Sequence, residues 1–275
     1  SIFHAIVNLP GDVKKENLDQ MIRAEVKKFV PFPLEEMSLD HQIIEGNDDQ
    51  KNKKDKQPLK ILVNAVPNEL IVFYSKIFQK AGLKLTALEP ESTALTRSLI
   101  GVDNAVNLII DIGEERTNFF IIHNNIPITH QSINFGGKKI NKILQNILQV
   151  EDDEVEVVKR DVFESHLNKD KAVRDDFLEI FKTIIDPITR EIDLSLKLFY
   201  KQINHEEAKP EKIILTGGSA FLPYLTDVIS DQFNIKSYIG DPWARVVHQQ
   251  SLKPLLGEIA PRMSVAIGLA LRNVL

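Results

Sequence analysis

Three times in this chain an apolar, strand-like run stops on a glycine turn flanked by hydroxyl or acidic side chains. That recurrence restricts the fold more than any other feature. The first case is NLIIDIGEERTNFF, Asn107–Phe120: Leu108, Ile109 and Ile110 lead into Asp111, the chain turns through Gly113, and Thr117, Phe119 and Phe120 resume the apolar run. It reads as a β-hairpin whose turn carries a carboxylate, a glycine and a hydroxyl. The second is INFGG, Ile133–Gly137, which opens a helix expected over Lys138–Leu148. The third is KIILTGGSAFLPY, Lys212–Tyr224: a strand, a glycine pair with flanking hydroxyls, and a helix expected over Phe221–Phe233. Taken singly, each is equally an ordinary tight turn. Taken together, they have the chemistry of an anion site. Glycine lets backbone N–H groups come close, helix N-termini collect phosphate oxygens, and a carboxylate can orient hydrated Mg²⁺.

Composition excludes several other classes. The 275 residues are 43% hydrophobic, enough for a sizeable core, expected in two lobes. With 34 basic against 39 acidic residues the net charge is -5, which argues against general nucleic-acid binding. There is no cysteine, hence no disulfide framework and no thiolate metal site. No uninterrupted apolar run approaches the roughly 20 residues of a membrane span, and no signal peptide is visible. The seven histidines, His4, His41, His123, His130, His166, His205 and His248, show no metal-ligand spacing. The chain opens on Ser1 and runs directly into the strand-like IFHAIVNLP, which reads as a fragment.

In order along the chain, Ile2–Leu9 reads as a strand, Asn17–Val30 as a helix ended by Pro31, and Met37–Ile44 as a strand. The charged stretch Gly46–Pro58 has nothing to bury and reads as a mobile loop. Leu59–Val66 is expected as a strand, Asn68–Ala81 as a helix capped by Gly82, Leu83–Leu88 as a further strand and Glu91–Leu99 as a short helix. The first hundred residues thus read as a βαββαβ unit. Beyond it come the hairpins Leu108–Ile122 and Ile126–Ile133, joined by Asn124–Asn125, and a long helix over Phe177–Tyr200. Ile180, Ile184, Ile188, Ile192, Leu196 and Phe199 form one stripe of that helix, which Pro187 should kink or restart. The last helix is expected over Met263–Val274, with Ala266, Gly268 and Ala270 suited to close backbone packing.

The three glycine turns in this order resemble the actin-like ATPase superfamily, which includes actin, Hsp70 chaperones, sugar kinases and FtsA. Several segments narrow the resemblance to the PilM family of type IV pilus assembly: VKKFVPFPLEEMSLDHQII (Val26–Ile44), AGLKLTALEPESTALTRSL (Ala81–Leu99), DDEVEVVKRDV (Asp152–Val162), REIDLSLKLFY (Arg190–Tyr200) and SVAIGLALR (Ser264–Arg272). The resemblance implies an α/β fold of the two-lobed, actin-like (ribonuclease H-like) type with an extra α+β subdomain. Residues 1–104 would hold the remnant of the first lobe with that subdomain. Residues 105–256 would form the second lobe, with a helical part at about 138–205, and 257–275 a C-terminal helix packing back toward the first lobe. A first phosphate hairpin of D-I-G-x-(S/T) type has no counterpart here, so the N-terminal part of the first lobe is expected to be missing.

The same resemblance implies a nucleotide site of ATP and Mg²⁺ at the positions matching the family motifs: Asp111, Gly113, Thr117, Gly136, Gly137, Lys159, Gly217, Gly218 and Ser219. Asp111 would orient metal-bound water. It also implies a cytoplasmic scaffold, peripheral to the inner membrane, that binds the N-terminal peptide of a PilN-like protein with nucleotide as a conformational ligand; self-association is also open to it. Leu194 stands where the family pattern has arginine, and Glu114 and Glu115 put negative charge where a triphosphate would lie. Any ATPase activity is therefore expected to be weak. A nucleotide-free interaction module is the alternative reading. A small-molecule kinase on the same fold ranks below both, for want of a second carboxylate in a glycine-rich substrate loop.

Overall fold

The computed structural model of the chain describes residues 2–30, 32–45, 58–151, 154–155, 157, 171–203 and 209–274. The expected mobile loop falls almost wholly on 46–57, outside the described residues, as does Lys159 with most of the acidic run around it. The chain forms two compact units, Ser1–Pro90 and Glu91–Leu275.

The first unit is a three-stranded antiparallel sheet with a helix on one face. Its strands are β1 (Phe3–Leu9), β2 (Met37–Glu45) and β3 (Leu59–Pro67), in the order β1-β3-β2. Alternate residues Val7, Leu9, Ile61, Val63 and Ala65 point to one side and meet Ile22 and Val26 of α1 (Lys15–Val26) in a closed core. Helix α2 (Asn68–Lys80) follows β3 and buries none of its residues; Phe73 is 58% exposed. The expected sixth element is absent. Residues 83–90 carry neither helix nor strand and join no ladder among the described residues, and Leu83 is 62% exposed. Alternation marks a segment as able to be a strand, but a ladder also needs a neighbouring edge. The order of the unit is therefore βαββα.

The second unit is a five-stranded mixed sheet in the order β6-β5-β4-β7-β8. Strands β4 (Asn107–Ile112), β5 (Thr117–His123) and β6 (Ile126–Ile133) are antiparallel neighbours, whereas β7 (Lys212–Thr216) and β8 (Lys236–Ile239) run parallel to β4 and to each other. The expected hairpin is therefore the centre of this sheet. Both faces are covered, which is why β4 reads as a continuous apolar run. Leu108, Ile110 and Ile112 face one core with Ile140, Leu144, Ile184, Ile188, Ile192, Phe199 and Ile229. These come from α4 (Gly137–Leu148), α5 (Lys171–Ile203) and α6 (Leu225–Phe233). Ile109 faces the other core with Leu95, Ile100, Phe120 and Ile214. The β5–β6 turn is built on Asn124 and Asn125, both left-handed with φ of 51° and 62°, as a two-residue hairpin requires.

Further elements differ from expectation, and α6 starts at Leu225 rather than Phe221. Helix α5 does not restart at Pro187 but continues through it, and the stripe from Ile184 to Phe199 is buried and holds the turn that lost a donor. The helix before Gly101 is α-helical only over α3 (Glu91–Leu95) and continues as a π-turn over Thr96–Ile100. The last helix, α7 (Lys253–Ala270), begins ten residues before the expected start and passes through Pro261. With its flanking turns, Gln250–Asn273, it is long and apolar enough to span a membrane by composition. Ala260, Pro261, Ser264, Ile267 and Gly268 are buried, whereas Leu255, Met263 and Leu269 are exposed.

Candidate functional site

The three glycine turns of the second unit meet at one node. Gly113 closes the β4–β5 turn by donating its N–H to the Arg116 carbonyl at 3.0 Å. At the start of α4, the Gly137 N–H donates to the Gly113 carbonyl and the Lys138 N–H to the Glu114 carbonyl, both at 2.8 Å. After β7, the Ser219 N–H donates to the Ile112 carbonyl at 3.2 Å, and the Gly217 N–H to the Pro261 carbonyl of α7 at 3.1 Å. The Thr117 hydroxyl donates to the Phe135 carbonyl at 2.6 Å, tying the end of β6 to the hairpin.

Glycine is required here by close approach of backbone to backbone. A Cβ on Gly136 would lie 2.6 Å from the Arg116 nitrogen and 2.7 Å from the Glu114 carbonyl oxygen. On Gly217 it would lie 2.5 Å from both an Asp111 carboxylate oxygen and the Ile112 carbonyl oxygen, and its φ of +89° independently disfavours a side chain. At Gly137 it would come within 3.0 Å of the Ser219 hydroxyl.

Asp111 belongs to β4 itself, paired with Asn118 on one side and Thr216 on the other, so it precedes the turn and lies directly against Gly217. It keeps some exposed surface, yet no described residue donates a hydrogen bond to its carboxylate. Burial, and then the nearby charge of Glu91 in the first turn of α3, push its pKa up to about 7. At the β4–β5 turn the Lys138 ammonium lies 2.6 Å from a Glu115 carboxylate oxygen and 3.4 Å from one of Glu114. The Glu115 hydrogen bond and the Glu114 charge raise the Lys138 pKa, and the same bond lowers that of Glu115.

Of the residues singled out in the sequence, Asp111, Gly113, Thr117, Gly136, Gly137, Gly217, Gly218 and Ser219 all lie at this node, and Lys159 is outside the described residues. The part played by α7 escaped the sequence reading. Besides accepting from Gly217, its Pro261 carbonyl lies 3.0 Å from the Thr216 hydroxyl, which is 2.7 Å from the Ser264 hydroxyl. The Arg262 side chain lies beside Gly218. Proline and Gly257 masked that half of the helix. Glu91 was also missed, since nothing local marks an acid in a first helical turn as a neighbour of Asp111.

Tested against Mg²⁺ and nucleotide, these residues fit at one point. The unbonded carboxylate of Asp111 has the chemistry to orient metal-bound water. The phosphate side is partly closed. The amides of Gly113, Gly137, Lys138, Gly217 and Ser219 and the hydroxyl of Thr117 are already committed to carbonyls of the chain, and two carboxylates flank the turn.

Known proteins share this fold. The chain is similar over its whole length to a chain of the PilM–PilN type IV pilus biogenesis complex, of which it covers 77%, with a TM-score of 0.79 and 21% identity. It is similar over 76% of its length to MreB5 of Spiroplasma citri, solved bound to ADP, covering 66% of that chain with a TM-score of 0.52 and 17% identity. In sequence it is 26% identical over 195 residues to the cell division protein FtsA of Enterococcus faecalis (strain ATCC 700802 / V583). That match takes in 63% of this chain, which spans 43% of the FtsA length. The fold is therefore actin-like. A family model described as type IV pilus assembly protein PilM matches residues 1–274, and the chain belongs to that family.

Proposed function

We propose that this chain is a scaffold of type IV pilus assembly that binds the cytoplasmic N-terminal peptide of a PilN-like membrane protein, and through it lies at the inner membrane. The observation that carries this reading is the similarity of the entire chain to the chain of the PilM–PilN complex. The α+β unit at the N-terminus is the part assigned to the peptide, and the second unit holds the nucleotide-type node. Arranged by role, residues 1–104, 105–256 and 257–275 remain the proposed functional division.

Nucleotide is at most a weakly held conformational ligand of this chain, and hydrolysis is not its task. The committed amides favour the nucleotide-free variant of the reading, in which the peptide is bound without ATP. Asp111 favours some response to Mg²⁺. A pull-down of the chain with an immobilised PilN-like tail separates the functions: retention without nucleotide supports the scaffold. A chain that is not retained, with or without Mg²⁺–ATP, removes it.

A further inference from the structure

We infer that Glu114 and Glu115 act as an internal anion that pairs with Lys138 and keeps its charge from the phosphates of a ligand at this turn. This deepens the reading of the node as a nucleotide-type site and rests on it. Two observations meet here. The backbone around α4's first turn is satisfied from within, since the carbonyls of Gly113 and Glu114 take the N–H groups of Gly137 and Lys138. The side chain of Lys138 is then held by the carboxylates on the same turn, Glu115 at 2.6 Å and Glu114 at 3.4 Å.

The direction of the effect follows from charge. A polyphosphate approaching the turn meets two carboxylates and a lysine whose charge is already matched. Exposed ion pairs of this kind contribute little to folding, so the cluster can be altered without loss of the fold. Its consequence lies in binding, where like charges at close range suppress the wrong ligand. Arg116 is on the same turn, and Gly218 and Arg262 line the β7 side. The contact is autoinhibitory: removing the carboxylates frees Lys138 for an anion while the hydrogen-bonded backbone stays as it is.

The test is calorimetry with Mg²⁺–ATP and, separately, inorganic tripolyphosphate, on the full chain, on the isosteric pair Glu114→Gln with Glu115→Gln, and on that pair with Lys138→Ala added. Thermal unfolding of each variant checks the fold; Glu114→Ala with Glu115→Ala is the second version should the amides perturb it. The double variant is expected to bind both probes at least about tenfold more tightly than the parent, with a gain that shrinks as salt is raised. The triple variant is expected to lose the gain. Equal affinity of parent and double variant overturns the inference, as does a gain that survives loss of Lys138. Retention on the PilN-like peptide is read in parallel. If it persists while the charge variants change nothing, the inference of an internal anion fails and the scaffold reading stands.

Discussion

At the scale of single residues, the node is decided by who can approach whom. Gly217 has to be glycine twice over, by its positive φ and by the carboxylate and carbonyl that fill the space of a Cβ. Gly268 is the same case on α7: a Cβ there would lie 1.9 Å from the Ala94 carbonyl oxygen of α3. Its own carbonyl accepts from the Arg97 guanidinium. Gly268→Ala should therefore destabilise the second unit by about 1–3 kcal/mol, the usual cost of overpacking, read by chemical unfolding. Asp111 gives a pH-dependent expectation. Its folded pKa of about 7 lies above the unfolded value, so the folded state binds the extra proton. The contribution is fully present below about pH 4 and is lost as pH rises through about 7. Relative to the parent, Asp111→Asn should gain stability between pH 5 and 8, by up to about 4 kcal/mol. A difference that stays flat across that range would show that the carboxyl is not held protonated by the fold.

At the scale of elements, the sequence was legible where local pattern and tertiary role agree. The apolar run ending on Asp111, the Asn124–Asn125 turn and the stripe of α5 each carried their structure in their spacing. What stayed hidden depends on partners. Residues 83–88 alternate like a strand but join no ladder among the described residues, and α7 contains the proline and glycine that normally end a helix. The π-turn over Thr96–Ile100 leaves no mark in propensity. Its carbonyls are held from a distance by Arg245, which donates to Ser98 at 2.9 Å and Ile100 at 2.7 Å. On α5 the two faces should separate cleanly in unfolding experiments. Ile188 is fully buried, and Ile188→Ala should cost about 2–5 kcal/mol. Leu194 is 46% exposed, and Leu194→Ala should stay within about 0.5 kcal/mol. Comparable losses at both positions would mean that α5 is covered on its outer face as well.

At the scale of the whole molecule, the chain combines a small α+β unit with a second unit whose three glycine turns hold one another by hydrogen bonds. A node satisfied from within should need no ligand to stay folded. With a dissociation constant of about 1 mM or weaker, 1 mM Mg²⁺–ATP adds about 0.4 kcal/mol or less, and the melting temperature should move by no more than about 1–2 °C. A rise of several degrees would mean that the node holds nucleotide tightly. The central claim is that the chain is an assembly scaffold whose partner binding does not wait on nucleotide. Titration calorimetry of the N-terminal tail peptide of a PilN-like protein into the full chain, with and without Mg²⁺–ATP, measures this most directly. The account predicts saturable binding with the same affinity in both conditions. Absence of binding in both, or binding that appears only with Mg²⁺–ATP, would contradict it.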